Sequence, residues 1–451
     1  MPLPKVPTLR SADGGVGFED LFSVPETNQY YYRPTRKWWK QERVNSVLPG
    51  IPTGQMARGG KPVFIKPSDW LDQFRRIEQT TWAPGEPEII EDKILSSNDW
   101  EDAPGKHVLN IYNPMPTLTG DAHAAAPWVD HLRLIYPTEA EEILDWMAWK
   151  VQHPDIKVNH AMFLGGREGI GKDWILQGLA AVVGASNYKT IQPTKLAGKN
   201  NAFVKSVILV VNEIHDVGDT GTINRYTLAD AIKPYAAAPP PVLDCEDKYI
   251  RSHPVLNTLG LILLSNHKTD GIYLEADNRR YLVCWSTVRK EAFRKGFWIE
   301  RYGWLRSEGA GHIAAFLRAR DVSRFDPGAE PRQTEAFFGI VRANVDPKTE
   351  AMGDMLDELA RPDAVTLAQL RNTEIGKGSE WLSNEPRTVG HKLGNCGYDA
   401  VKNAGDGRGK WSINGKQQVI YAKENLSPDE RQAAADRLIK QLRGQQPLRV
   451  V

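Results

Sequence analysis

The run from Met162 to Trp174, MFLGGREGIGKDW, passes from apolar residues into glycines and closes on a Gly-Lys pair. It fits the opening of the phosphate-loop pattern G-x-x-x-x-G-K-[ST], with Gly166, Gly171 and Lys172 in register. Glycines lack a Cβ and reach positive φ, so successive backbone N–H groups can curl around a phosphate at the start of the next helix. The stretch Gly166, Arg167, Glu168, Gly169, Ile170, Gly171, Lys172, Asp173 and Trp174 is therefore the candidate nucleotide-binding segment, with Lys172 reaching the β- and γ-phosphates. Asp173 stands where a Ser or Thr hydroxyl ordinarily ligates Mg²⁺; a carboxylate is also a hard oxygen ligand. The flanks supply the context the pattern needs: a strand at His160–Leu164, then a helix from Lys172 to Val183 with Ile175, Leu176, Leu179 and Val182 on one face. The plainer alternative is a glycine-rich strand-to-helix turn.

Two further strands end in polar residues. In SVILVVNEIHD, residues 206–216, the aliphatic run Val207–Val211 gives way to Asn212 and Glu213. An unbroken apolar run reads as a buried parallel strand, and open α/β sheets bind ligands beyond the carboxyl ends of such strands. Glu213 is placed to orient or activate water, and Asn212 to order a metal with Asp173 and Glu213. Asn in place of Asp removes a negative charge that Asp173 can restore. The strand Thr258–Leu264 runs into Ser265, Asn266 and His267, which makes Asn266 a candidate to sense the γ-phosphate or to polarise the attacking water. Arg279 and Arg280 then precede the apolar run YLVCW, a position from which arginine can reach a phosphate of a neighbouring subunit.

The chain has 451 residues, 25% charged and 41% hydrophobic, with a net charge of +1. That composition suits a soluble multi-domain protein and excludes global disorder, while local patches still decide nucleic-acid binding. Cys245, Cys284 and Cys396 have no C-x-x-C spacing, no apolar run suggests a membrane span, and the N-terminus lacks a signal-peptide core, so a cytosolic protein is expected.

Residues 1–28 read as a flexible arm and 29–130 as a small mixed accessory region of short strands and turns. Tyr30, Tyr31, Tyr32, Trp38 and Trp39 interleave with Arg33, Arg36, Lys37, Lys40 and Arg43, either a base-stacking surface or an amphipathic element with its rings inward. Thr138 and Glu141 match a capping box for a helix that ends near His153-Pro154. Trp304, Leu305, Ile313, Phe316 and Leu317 close the apolar core, and a Pro/Gly turn at 325–331 marks a boundary. Residues 332–426 carry short helices and a hairpin closed by Asn414-Gly415, a winged-helix-like pattern in which Arg387, His391 and Lys392 lie on the recognition helix. A helix at 427–451 ends the chain.

The order GGREGIGKD, VILVVNE, LILLSN, DNRRY resembles the superfamily III helicases, most closely the primase–helicase proteins of phages, plasmids and large DNA viruses, from Pro137 to Val288. The resemblance implies an α/β, AAA+-like P-loop ATPase core over 131–323 that uses ATP and Mg²⁺, assembles into a ring, usually a hexamer, and moves along single-stranded DNA in a bacterial host's cytoplasm, alongside other replication proteins. It implies Lys172 on phosphate, Glu213 as catalytic base, Asn266 as polar sensor and Arg279 or Arg280 as a finger across the subunit interface. It also implies a basic, pore-facing hairpin in VLDCEDKYIRSHPVLN, with Lys248, Arg251 and His253 on the DNA backbone. The region before the core lacks an acidic metal-binding cluster, so no primer synthesis is expected. Two other readings stay open: a DNA-binding factor that hydrolyses ATP weakly or not at all, motivated by Asp173 and Asn212, and a metabolite kinase, which needs neither the paired arginines nor the appended domain.

Overall fold

The computed structural model describes residues 7–196, 198–214, 225–247, 252–267, 272–343, 347–403, 409–413 and 415–444. The chain divides into two compact units between Val341 and Arg342.

The first unit is built on a parallel five-stranded sheet: β1 (Ala161–Gly166), β2 (Tyr188–Ile191), β3 (Ile208–Val211), β4 (Gly260–Ser265) and β5 (Tyr281–Ser286), in the order β2-β3-β4-β1-β5. Strands β1, β3 and β4 are buried along their whole length, which is why they read as unbroken apolar runs. Strand β2 was not anticipated: YKTI is a half-exposed edge strand with too little apolar pattern to stand out. The register sets Gly165 between Ser265 and Trp285, so the ends of β1, β4 and β5 come level, with Asn212 following β3 beside them.

Helices α1 (Ala126–Ile135), α2 (Ala140–Gln152) and α3 (Lys172–Val183), with α4 (Arg225–Ala236), α5 (Phe297–Trp304) and α6 (Ala310–Ala319), share the sheet's core, where Trp128, Trp146, Phe163 and Trp174 are fully buried. The expected capping box at Thr138 is not made. Helix α2 starts after Glu139 without a side-chain cap, and the Thr138 carbonyl instead accepts a hydrogen bond from Arg332. Its C-terminus falls at His153 as expected. Lys150 of α2 has no exposed surface and donates to the carbonyls of Ile156 at 2.8 Å and Thr258 at 2.7 Å, tying the end of α2 to the start of β4. Burial pushes this lysine down to about 7, with the Asp155 carboxylate opposing the shift.

The N-terminal part is more ordered than the expected arm. Phe18, Leu21 and Val24 are fully buried, and Leu21–Val24 pairs with Gln29–Tyr32, which pairs with Lys37–Trp39. This settles the aromatic and basic run: Tyr30, Tyr31 and Trp39 are buried, Arg33 pairs with Glu88, and Arg43 lies 4.2 Å over the Trp39 ring. These three rings serve the core, and Tyr32 and Trp38 are half-buried against it.

Thr334 and the helix Glu335–Ala343 still belong to the first core: Thr334 donates to the Val283 carbonyl, and Phe337 and Ile340 are buried there. In the second unit a three-stranded antiparallel sheet, order Ala364–Thr366, Ile420–Lys423, Tyr398–Val401, packs with the helix Pro428–Gly444. Pro386–Asn395 is helical, and Trp411–Ile413 pairs with Lys416–Gln418 as the expected hairpin. Gly415 takes φ +75° there, while Asn414 lies outside the described residues.

Among the described residues no helix is long and apolar enough to cross a membrane.

Candidate functional site

The carboxyl ends of β1, β3 and β4 open into a cleft of about 700 Å³, lined by the loop from Glu168 to Trp174, by Asn212 and Glu213, by Ser265 and Asn266, and by Trp298 and Tyr302. Four separate sequence stretches thus meet at one place, three of them those that the sequence marks out. Lys172 donates to Asn266 Oδ1 at 2.8 Å and to the carbonyls of Gly166 and Arg167. The candidate phosphate lysine and the candidate sensor are therefore in direct contact. Burial pushes the Lys172 ammonium down to about 8, with the carboxylates of Asp173 and Glu168 opposing the shift.

Glu213 is exposed and sits in the left-handed region at φ +55°, a conformation that costs a residue with a Cβ about 1–3 kcal/mol. Its neighbours fix it there. Asn212 N–H donates to Ile191 O at 3.0 Å, Ile214 N–H donates to Leu264 O at 2.9 Å, and Ser265 Oγ donates to Ile214 O. With both flanking residues tied to adjacent strands, the backbone turns outward at Glu213.

Asp173 is exposed at the first turn of α3, beside the same cleft. Asn212 Oδ1 is buried and has no hydrogen-bond partner. An unpartnered amide oxygen with two carboxylates around one polar cleft suits a hard cation, since Mg²⁺ takes one or two carboxylates and completes its shell with water and phosphate oxygens. Asp173, Asn212 and Glu213 are thus oxygen donors of the kind Mg²⁺ takes, gathered on one cleft.

Other expected site residues fall differently. Trp174 lines the cleft but has no exposed surface; it is packed beneath the loop, 5.4 Å from the His131 ring. Gly166 contributes its carbonyl to Lys172, and Arg167 lines the neighbouring depression with Asn266, Trp285, Arg289 and Lys290. Arg279 and Arg280 do not reach this cleft. They precede β5, at the opposite end of the parallel sheet from the loop, where Arg279 pairs with Glu330 at 3.2 Å and both line a separate hollow with Lys233.

A hairpin forms in the expected interval, as Val242–Cys245 paired with His253–Leu256 between β3 and β4. Lys248 and Arg251, its expected basic residues, lie outside the described residues, as does the Arg387 side chain. His253 is only 7% exposed and opposes Cys245 in the ladder, so it is a strand residue and not a free grip for phosphate. In the second unit Lys392 is half-buried and His391 exposed on the helix Pro386–Asn395.

Sequence reasoning missed the residues that hold the loop from behind. Tyr136 donates its hydroxyl to Gly165 O at 3.1 Å, and buried His131 bonds Ile170 O through Nε2 at 2.9 Å. Burial holds His131 down at about 4, so it is neutral and donates the Nε2 proton to the loop carbonyl. Gly171, at φ +93°, allows this closeness, because a Cβ there would lie 2.2 Å from the Trp298 ring and 2.5 Å from His131 Nε2. His131 and Tyr136 stand far upstream of the loop and carry no motif of their own, so only the fold reveals them.

A family profile described as "Family of unknown function (DUF5906)" matches residues 163–280, the span from β1 to Arg280. No curated protein matches the chain. Among solved structures, an apo structure of the NrS-1 C-terminal region (305–718) aligns over 89% of this chain and 95% of its own, with a TM-score of 0.59 and 15% identity. A second apo structure of that region covers 89% and 96%, with a TM-score of 0.56 and 15% identity. A JCV helicase structure covers 53% and 65% with a TM-score of 0.32 and 11% identity, a partial likeness on which nothing is built. The chain thus shares its fold, over nearly its whole length, with the NrS-1 C-terminal region.

Proposed function

We propose that this protein is an ATP-driven, ring-forming helicase or translocase that moves along single-stranded DNA in the replication of a phage or other mobile element. The observation that carries the reading is the meeting of Lys172 with Asn266 at 2.8 Å, next to Glu213 in its outward-turned conformation. A phosphate-binding cation, a polar sensor and a carboxylate at three adjacent strand ends are the parts phosphoryl transfer to water requires. In this reading the core is AAA+-like and the second unit winged-helix-like, with His391, Lys392 and Arg387 on a helix available to DNA.

In the reaction, the Lys172 ammonium exchanges its carbonyl partners for β- and γ-phosphate oxygens, while the loop amides and the start of α3 hold the remaining phosphate charge. Glu213 accepts a hydrogen bond from the attacking water, and Asn266 couples the γ-phosphate position to Lys172. Asp173, Asn212 and Glu213 would hold Mg²⁺, which would supply charge neutralisation at the phosphates. Arg279 and Arg280, at the far end of the sheet from their own cleft, suit the cleft of a second copy in a ring. Mixing Arg279→Ala/Arg280→Ala chains with Lys172→Ala chains, each inactive alone, should then restore ATPase activity, because a Lys172→Ala chain still offers its arginines to the intact cleft of an arginine variant. No restoration on mixing removes the trans role.

The direct test is ATP hydrolysis by the purified chain with and without single-stranded DNA. Stimulation by DNA supports the motor. The second reading, a DNA-binding factor without turnover, rests on Asp173 and Asn212, and it gains if wild type and Lys172→Ala are equally inactive over a wide Mg²⁺ range. Asp173 and Asn212 also give a paired prediction: Asp173→Ser should raise the Mg²⁺ concentration needed for half-maximal hydrolysis about tenfold, and adding Asn212→Asp should return it. Full activity of Asp173→Ser at low Mg²⁺ removes the compensation.

A further inference from the structure

We propose that Trp298 and Tyr302 of α5 form the wall on which the nucleobase stacks, so that the cleft recognises the base by its aromatic face. This rests on the nucleotide reading of the same cleft. The cleft has two chemically distinct parts. Lys172, Asn212, Glu213 and Asn266 supply the charged and polar groups suited to a phosphate chain, while Trp298 and Tyr302 add aromatic surface beside the start of α3. A volume of about 700 Å³ accommodates a whole nucleotide, since pockets of about 300–1,000 Å³ serve ligands of that size.

The placement of Trp298 is fixed from behind. Its ring lies against Gly171, the last glycine of the loop, and packs on Phe293 at 5.2 Å, Phe297 at 5.0 Å and His131 at 5.4 Å. Yet Trp298 is only half-buried, and so is Tyr302, whose ring centroid is 6.4 Å from that of Trp298. Two partly exposed rings lining the cleft leave aromatic surface uncovered next to the start of α3. Tyr302 lines the same cleft as Lys172, Asp173 and Trp174, beside the first turn of α3. A nucleotide whose phosphates lie on the loop and whose base points along α3 therefore meets Trp298 and Tyr302. Stacking on a ring face tolerates every base, so the four nucleoside triphosphates should differ little in affinity.

The test compares ATP with inorganic tripolyphosphate, which carries the phosphate chain and no base, by calorimetry on the full chain. Trp298→Ala should weaken ATP about tenfold to a hundredfold and leave tripolyphosphate binding unchanged, and Trp298→Phe should keep most of the ATP affinity. Tyr302→Ala, at a more peripheral ring, should show a smaller loss of the same kind. Unchanged tripolyphosphate binding also verifies that the variants fold. Equal losses for both ligands, or loss for neither, overturn the stacking wall while leaving the phosphate site standing. If wild type binds neither ligand, the nucleotide reading of the cleft falls, and the wall with it.

Discussion

Lys172→Ala lowers ATP hydrolysis by about 10²–10³-fold, the scale on which a single preorganised donor to developing charge acts in a dry site. The same residue sets the pH dependence of nucleotide binding. In the free protein burial holds Lys172 at about 8. A bound phosphate raises it, because an anion within hydrogen-bond distance favours the charged form. Below about pH 8 the ammonium is already protonated and affinity is flat. Above it, binding must take up a proton, so affinity falls by up to about tenfold per pH unit until the pKa of the bound state is reached. Calorimetry from pH 6.5 to 10 measures this directly, and Lys172→Met, which keeps an unbranched side chain one atom shorter and loses the charge, should abolish the slope. A slope that survives in the Met variant assigns the titration elsewhere.

The parts legible in the sequence were those in which one local signal sufficed. A strand buried on both faces has no polar alternation to obscure it, so Ile208–Val211 and Gly260–Ser265 stood out, and their polar followers, Asn212 and Asn266, could be placed at one end of a sheet before its order was known. The glycine loop was legible for the opposite reason, because its residues are demanded by backbone geometry: Gly169 at φ +76° and Gly171 at φ +93°. Edge strand Tyr188–Ile191 failed to show because half of it faces outward.

Ambiguity arose wherever composition served two ends equally. Tyr30, Tyr31 and Trp39 beside arginines could have met bases or a core, and only pairing with Leu21–Val24 decided for the core. Arg279 and Arg280 were legible as exposed cations near a phosphate motif, but the end of the sheet they occupy depends on strand direction, which the parallel pairing of β1 with β5 supplies. His131, Tyr136, Trp298 and Tyr302 were invisible, because their role comes from packing across long sequence separations and no spacing rule links them to the loop.

Glu213→Gln separates binding from chemistry. Gln keeps the shape of the side chain and its hydrogen-bonding reach but cannot act as a carboxylate base toward water, so at saturating Mg²⁺, which offsets the loss of one charged oxygen donor, hydrolysis should fall about 10²–10⁴-fold while ATP affinity changes by less than a few fold. Folding stability should move by no more than about 0.5 kcal/mol, because Glu213 is exposed and its left-handed backbone is fixed by neighbours that the substitution leaves alone. Those neighbours are the reason to expect so clean a separation. Ile214 is pinned to β4 through Leu264 and Ser265, and Asn212 to β2 through Ile191, so the position of residue 213 is set before any ligand arrives. A single-turnover measurement with bound ATP reads the chemical step without interference from release. If the Gln variant hydrolyses bound ATP at the wild-type rate, another group activates the water, and the outward turn at Glu213 then needs a different explanation.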